Sequence, residues 1–441
     1  MRLAHFIQRY PPALGGSEAY FSRLSRYCAE RGDVVTVFTS NALTLDAFWS
    51  NAGSCLPSGN ESDAGVTIRR YPLWRMRGRR WLLKALSLAP HRLWQCLTLP
   101  CNPISFGMWR DAGQEPCRFD AVHASAFPYA FPIACGWRLA RRLRIPLLVT
   151  PFLHLGNPDD PRDRTRRAFT TPALRWLLSQ ADAVFVQTPS ERALALALGL
   201  PLGKIILQGL GVEPRECTGG DRTDARRRWN LPDDAFVVGH LANNSWEKGT
   251  NDLLEAVKPL WNKRCAIHVL LAGPEMPNFT HFWQGFEMRC PAFAQQWVRR
   301  LGPITDSQKR DFFASIDVFA LPSRSDSFGL VLLEAWANGV PNVAYRAGGI
   351  ADVIRHDVDG LLVPCGQIDA LSNTLQHLCK DVDMRVRLGI HGKERLPADY
   401  CWDDKLELVR QKIASSRQQA TGREENAKKD FKSSTGVVNF L

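Results

Sequence analysis

Asp326-Ser327-Phe328-Gly329-Leu330-Val331-Leu332-Leu333-Glu334 decides how this chain is read. Two carboxylates stand eight residues apart, and an apolar run, Ala335-Trp336-Ala337, follows them. Eight helical positions advance about 800°, so the two would lie near one face only if the whole stretch were helical. Phe328-Gly329 argues against that. The stretch reads as a loop carrying Asp326 that enters a helix with Glu334 two turns inside it. Such a helix start offers backbone N–H groups, a positive dipole end and two acceptors at different depths. That combination suits an anionic ligand that also carries hydroxyls, such as a nucleotide diphosphate sugar.

Outward from this stretch, short apolar runs alternate with helical patterns. Residues 2–7, 34–39, 121–123, 146–150, 183–187 and 205–207 read as strands of a first half. Residues 236–241, 266–271, 298–301, 318–321, 341–344 and 361–363 read as strands of a second. Helical patterns cover 18–30, 133–142, 191–198, 249–260, 308–314 and 330–337. Alternating strands and helices predict parallel sheets with both faces covered. Two such sets predict an α/β protein of two doubly wound domains, 1–208 and 224–400, with a glycine-rich linker at 209–223. A chain of 441 residues is long enough for both. A helix at 401–414 ends the ordered part, and the polar stretch 415–441 is expected to be a flexible tail. Ligands of open α/β sheets bind beyond the carboxyl ends of the strands, so the site is expected in a cleft between the two sheets.

Several short pieces fall at such strand ends. Gly15-Gly16-Ser17-Glu18 follows the first strand, His154 follows Thr150-Pro151-Phe152-Leu153, and Gly211-Val212 follows the strand at 205–207. Glu247-Lys248-Gly249 opens a helix after 236–241, and Gly348-Gly349 follows the acidic stretch. In this order and spacing the chain resembles the family-4 retaining glycosyltransferases, whose acidic signature is E-x7-E and whose fold is GT-B, over roughly residues 1–412, which implies that the helix at 401–414 returns to the first domain. Two positions depart from the family pattern. Asp326 stands where Glu is usual, and Asn243 stands where an Arg is common, so phosphate binding leans harder on Lys248 and on backbone N–H groups.

The resemblance implies a donor site made of Gly15, Gly16, Asn243, Lys248, Asp326, Phe328, Gly329, Leu330, Glu334, Gly348 and Gly349. Lys248 would neutralise the leaving diphosphate. Asp326 would accept from hydroxyls of the donor sugar, Glu334 from both ribose hydroxyls, and His154 would contact the transferred sugar. His154, Lys248 and Asp326 are therefore the expected catalytic residues. Bland readings stand beside each: Gly15-Gly16 as a tight turn capped by Ser17, Lys248 as a surface lysine, Asp326 as a helix cap, and Gly348-Gly349 as a strand-to-helix turn. Glu334 needs a partner on either reading, because a carboxylate on an apolar helix is costly unless satisfied. Arg162, Arg164, Arg166 and Arg167 form a basic cluster that either holds an anionic acceptor or is solvated.

Net charge is +12, and residues 66–110 contain no Asp or Glu. That segment carries Arg69, Arg70, Arg75, Arg77, Arg79, Arg80, Lys84 and Arg92, interleaved with Trp74, Trp81, Trp94 and several leucines. It can lie against an anionic membrane surface or be a solvated helix over ordinary core. No nucleic-acid-binding motif accompanies the charge, so nucleic acid is not an expected partner. No run of 18 apolar residues predicts a transmembrane helix. The amino terminus reads as a strand, not a signal peptide, and the twelve cysteines form no C-x-x-C pair, which together predict a cytoplasmic protein, peripheral on the membrane if residues 66–110 dock. Asp357-Val358-Asp359 reads as a turn and Asp381-Val382-Asp383 as a stretch between helices, neither as a metal site. The glycine loop lacks G-x-G-x-x-G, which excludes a nicotinamide or flavin fingerprint.

The reading is a hexosyltransferase that needs no cofactor, and the resemblance implies that it is retaining and metal-independent. Its donor is UDP- or GDP-linked, and its acceptor is a lipid-linked or cell-envelope glycan. A nucleotide-sugar epimerase, a sugar phosphorylase and a non-catalytic nucleotide-sugar-binding protein stay open as rivals.

Overall fold

Short runs of Val, Ile, Leu and Phe make buried strands that pair in two sheets, as expected for parallel strands covered on both faces. The computed structural model describes residues 1–156, 162–262, 266–290 and 296–435. The first sheet contains β1 (Arg2–Ile7), β2 (Val34–Ser40), β3 (Gly59–Asp63), β4 (Val66–Tyr71), β5 (Ala121–Ala124), β6 (Leu147–Val149), β7 (Ala183–Val186) and β8 (Ile205–Leu207). Their order is β3-β4-β2-β1-β5-β6-β7-β8. The second contains β9 (Phe236–Leu241), β10 (Ile267–Ala272), β11 (Val298–Arg300), β12 (Val318–Leu321), β13 (Asn342–Tyr345) and β14 (Gly360–Val363), in the order β11-β10-β9-β12-β13-β14. Every pairing is parallel except β3 against β4.

Both orders reverse beside the first strand of their set. β1 lies between β2 and β5, and β9 lies between β10 and β12. Chains leaving adjacent strands in opposite directions open a crevice at their carboxyl ends. The loops after β9 and β12 hold Lys248 and Asp326, so the second sheet's crevice is where these two residues meet.

Each sheet has its own outer core. Phe6, Phe38, Leu139 and Leu174 belong to that of the first sheet, and Leu254, Trp261, Phe279 and Leu375 to that of the second. A third cluster joins the halves, running from Tyr20 and Phe21 through Leu210 and Trp229 to Leu332 and Trp336. It also takes in Trp402, Leu406, Val409 and Ile413 of the last helix, Trp402–Thr435. That helix packs back on the first half, where Arg410 Nε donates to Asp33 at 2.8 Å and the Tyr27 hydroxyl donates to Glu407 at 3.0 Å.

Two expectations need correction. The basic segment is not helical from its start. Val66–Tyr71 is a strand between β2 and the edge strand β3. Gly59–Asp63 was legible neither as strand nor as helix because all five of its residues are exposed and none is a large apolar one; its backbone ladder with β4 is joined by a cross-strand ion pair, Glu61 with Arg70. The polar stretch after 415 does not leave regular structure, since the last helix runs on to Thr435. Low apolar content removes packing, but Arg, Gln, Ala, Glu and Lys keep their helix propensity. Residues 436–441 lie outside the described residues.

Candidate functional site

The helix that carries Glu334 begins at Leu330, because Gly329 takes a left-handed backbone, φ 84°, as its N-cap. Glu334 therefore stands little more than one turn inside the helix, not two. Lys309 Nζ, from helix Asp306–Ser315, reaches Glu334 Oε1 at 2.9 Å. This lysine is the partner that an acidic residue on so apolar a helix requires. Burial still raises the Glu334 carboxyl above its ordinary value, outweighing Lys309. Both residues line a cleft of about 580 Å³ between the halves, with Arg23 and Tyr27 from the first and Leu330 from the second.

Lys248 sits in the loop after β9, just before helix Thr250–Asn262. Gly249 beside it has φ 74°, and a Cβ there would lie 1.8 Å from the Pro322 carbonyl oxygen, so only glycine lets the two loops approach. Lys248 Nζ consequently reaches Asp326 Oδ2 at 2.6 Å. Burial works against the Asp326 charge, but Lys248, His154 and the Phe328 N–H together outweigh it and hold the carboxyl below its ordinary range. The pair is a preformed set of one donor cation and one acceptor, each partly open to solvent.

His154 arrives from the first half. Its Nδ1 lies 3.4 Å from the Ser325 hydroxyl, one residue before Asp326. Burial pushes the imidazole down to about 4, with Asp326 pulling it up and Lys248 pulling it down. At neutral pH the ring is uncharged, able to donate from one nitrogen and accept at the other. Phe169 packs against it at 4.6 Å between ring centres. Phe169 ends helix Arg164–Phe169, which carries Arg166 and Arg167 and is capped by Asp163, so the arginine cluster is built onto the element that holds His154. Arg162 immediately precedes that cap.

The glycines divide by role. Gly15 is the N-cap of helix Gly16–Glu30, which replaces the expected cap at Ser17. A Cβ on Gly15 would meet Glu18 Oε2 at 2.2 Å, whereas Gly16 faces open space. Glu18 is buried and paired with Arg9 at 2.7 Å. Gly348 and Gly349 allow close chain packing. Their Cβ atoms would meet the carbonyl oxygens of Asp326 and Ser327 at 2.3 and 2.0 Å. The Gly349 N–H donates to the Asp326 carbonyl at 2.7 Å, so that group serves the loop and is not offered to a phosphate as expected. Phe328 N–H turns back to Asp326 Oδ1 at 3.4 Å, while Gly329 and Leu330 open the helix. Asn243 is exposed, whereas Asn244 is buried and donates to the Gly273 carbonyl. The two D-x-D stretches are structural. Asp359 accepts from Arg355 and Arg395, and Asp381 caps helix Val382–Asp399.

Three residues escaped the sequence reading. Lys309 and Ser325 carry no motif and act through position. Glu191 is fully buried and accepts from the Leu153 N–H at 2.7 Å and the Gln187 N–H at 2.6 Å, fixing the loop that presents His154. Burial pushes its carboxyl up to about 8 against those two donors. Thr188-Pro189-Ser190-Glu191 was a legible capping signal, but its tie to Leu153 was not.

The family model "Glycosyl transferases group 1" matches residues 221–395, and "Glycosyl transferase 4-like domain" matches 15–211. A D-inositol 3-phosphate glycosyltransferase of Stackebrandtia nassauensis is 28% identical over 85% of this chain and 81% of its own. That of Geodermatophilus obscurus is 29% identical over 79% and 74%. Among solved structures, sucrose-phosphate synthase from Thermosynechococcus elongatus superposes with a TM-score of 0.70 at 22% identity, covering 94% of this chain and 99% of that one. Anabaena HepE in complex with UDP and glucose gives 0.67 at 16% identity, covering 94% and 99%. These two likenesses concern the fold. The chain belongs to the glycosyl transferases of group 1, a glycosyltransferase with the GT-B fold.

Proposed function

We propose that the protein moves a hexose from a UDP- or GDP-linked sugar to an acceptor hydroxyl with retention at the anomeric carbon and without a metal ion. The Lys248–Asp326 pair beside His154 carries this reading. Lys248 would neutralise the departing diphosphate, and Asp326 would then exchange its lysine contact for sugar hydroxyls. Gly329 and Leu330 open a helix whose first N–H groups lack intrahelical partners and suit an anion. A neutral His154 is not a strong base, which fits a reaction on one sugar face in which the leaving phosphate oxygen takes the acceptor proton. Glu334, held by Lys309, would receive the ribose hydroxyls.

The acceptor favoured is a lipid-linked glycan of the cell envelope, on the strength of the exposed basic and aromatic residues of the first half. A phosphorylated polyol is the second reading. The relatives named above act on D-inositol 3-phosphate by their names, and the helix bearing Arg164, Arg166 and Arg167 adjoins His154.

Thermal unfolding with UDP, GDP and ADP tests the donor site. A ligand at 100 times its dissociation constant adds about 2.7 kcal/mol. Stabilisation by UDP or GDP, weakened in Glu334→Ala, is expected, and no response to either overturns the donor assignment. Transfer assays with an inositol phosphate and with a lipid extract then separate the two acceptors.

A further inference from the structure

We propose that the helical hairpin of the first domain formed by residues 79–97 docks on an anionic lipid bilayer. It deepens the lipid-linked acceptor reading above. The structure sorts the basic segment into two groups. Arg69 pairs with Glu115, Arg70 pairs with Glu61, Arg75 donates to the Gly53 carbonyl, and Arg79 is buried against the carbonyls of Trp74 and Asn102. These serve the fold. Arg77, Arg80, Lys84 and Arg92 are exposed, and none of them is in a described ion pair with an acid. Lys84 lies over the Trp81 ring and Arg92 donates to Gln95.

Large apolar side chains are exposed among these cations. Trp81 is 75% and Leu88 80% exposed, and Met76, Leu82 and Trp94 are exposed as well. Such a cluster in water is costly and marks a surface that meets something apolar. The hairpin is nevertheless firmly built. Leu83 and Cys96 are buried, the Cys96 thiol donates to the Ala173 carbonyl, and Trp94 Nε1 donates to the Leu86 carbonyl at 2.8 Å, tying helix Arg92–Leu97 to helix Arg79–Leu86. The apolar groups are thus held out, not left over from poor packing.

Cations interleaved with Trp and Leu match the head-group layer of an anionic bilayer, where aromatic rings and acyl-facing aliphatics sit below lipid phosphates. A second copy of this chain would bring the same cations face to face, which is repulsive. A nucleic acid would leave Met76, Leu82 and Leu88 without apolar partners. The hairpin follows the carboxyl end of β4, the end of the first sheet that faces the cleft, and Arg70 on that strand holds the Tyr10 and Pro11 carbonyls near the Gly15 loop. A bilayer at this rim would present a lipid-linked hydroxyl to the first half of the site.

Flotation of the full chain with phosphatidylcholine vesicles and with vesicles containing phosphatidylserine tests this without any sugar substrate. Binding to the anionic vesicles alone, weakening with salt, is expected. Arg80→Gln with Lys84→Gln lowers the partition coefficient about 30-fold, at roughly fivefold per cation. Trp81→Ser with Leu88→Ser abolishes flotation while the thermal response to nucleotide persists, showing an intact fold and donor site. Equal flotation of these variants and the wild type, or no flotation with anionic vesicles, overturns the proposal. Self-association lost in Trp81→Ser with Leu88→Ser, without vesicle binding, overturns it in favour of a second copy. Flotation without transfer to lipid leaves docking standing and removes the acceptor reading.

Discussion

The two halves of the cleft treat charge differently. In the second half each acidic residue of the site meets a lysine from another loop or helix: Asp326 meets Lys248 and Glu334 meets Lys309. Both contacts are present without a ligand, so on the proposed donor reading the charges are already in place and Asp326 exchanges Lys248 for sugar hydroxyls. In the first half the glycine loop buries one pair, Arg9–Glu18, and Arg23 and Arg26 on the cleft wall pair with Glu216 and Asp63. The groups that face outward there are a neutral His154, the arginines of helix Arg164–Phe169 and the exposed cations of residues 77–92. A half built of preformed pairs suits a ligand of fixed shape. A half that exposes several cations with no acidic partner among the described residues suits an anionic partner whose remainder can vary.

Lys248→Ala breaks the second-half side of that comparison most sharply. Loss of one electrostatic stabiliser lowers kcat about 10²- to 10³-fold. Combining it with Asp326→Asn removes the stranded carboxylate and restores thermal stability but not turnover. Turnover of Lys248→Ala within a factor of two of wild type would refute the role given to the lysine.

Glu191→Gln sharpens the contrast with the first half, where one buried carboxyl without a cation fixes the His154 loop. A glutamine accepts one N–H and turns its own N–H₂ toward the other, costing about 1–3 kcal/mol. The pH dependence identifies the cause. The folded carboxyl is raised from 4.5 to about 8, so the unfolded chain loses that proton first. Stability therefore falls as pH rises through this window. His154 is depressed to about 4, so its contribution is lost only as pH falls below about 6.5, and the range from 6.5 to 8 reports Glu191 alone of the two. The wild-type melting temperature should decline across that range, and that of Glu191→Gln should decline less. Parallel curves would sink the assignment.

The smallest effect is expected at the contact between the halves. Ser190, at the start of helix Pro189–Ala197, donates its N–H and its hydroxyl to Asp352 at 2.8 and 2.9 Å. Asp352→Ala should cost about 1 kcal/mol, read as a fall of roughly 2–4 °C in melting temperature. An unchanged melting temperature means this contact adds nothing to the union of the halves.

The proposed donor side was legible because its signals are local. Gly249 and Gly329 sit where the backbone must be left-handed, and each marks a helix start beside a residue of the candidate site. The acceptor side was less legible. Residues 66–71 look like the start of a basic amphipathic stretch, yet β2 and β3 claim them as a strand, and only the remainder of the segment stays outside the sheet.

By itself the sequence determined the alternation of strands and helices, hence two parallel sheets, and placed Lys248, Asp326 and Glu334 at strand ends or helix starts. Tertiary structure alone decided the pairing. It brought Lys309 to Glu334, Ser325 to His154 and Glu191 to Leu153, and it separated the arginines that serve the fold from those left on the surface. The physical reason is range. Periodicity and glycine placement act within a turn or a strand, whereas the partner of a buried charge is chosen by which distant element lies within about 3 Å of it.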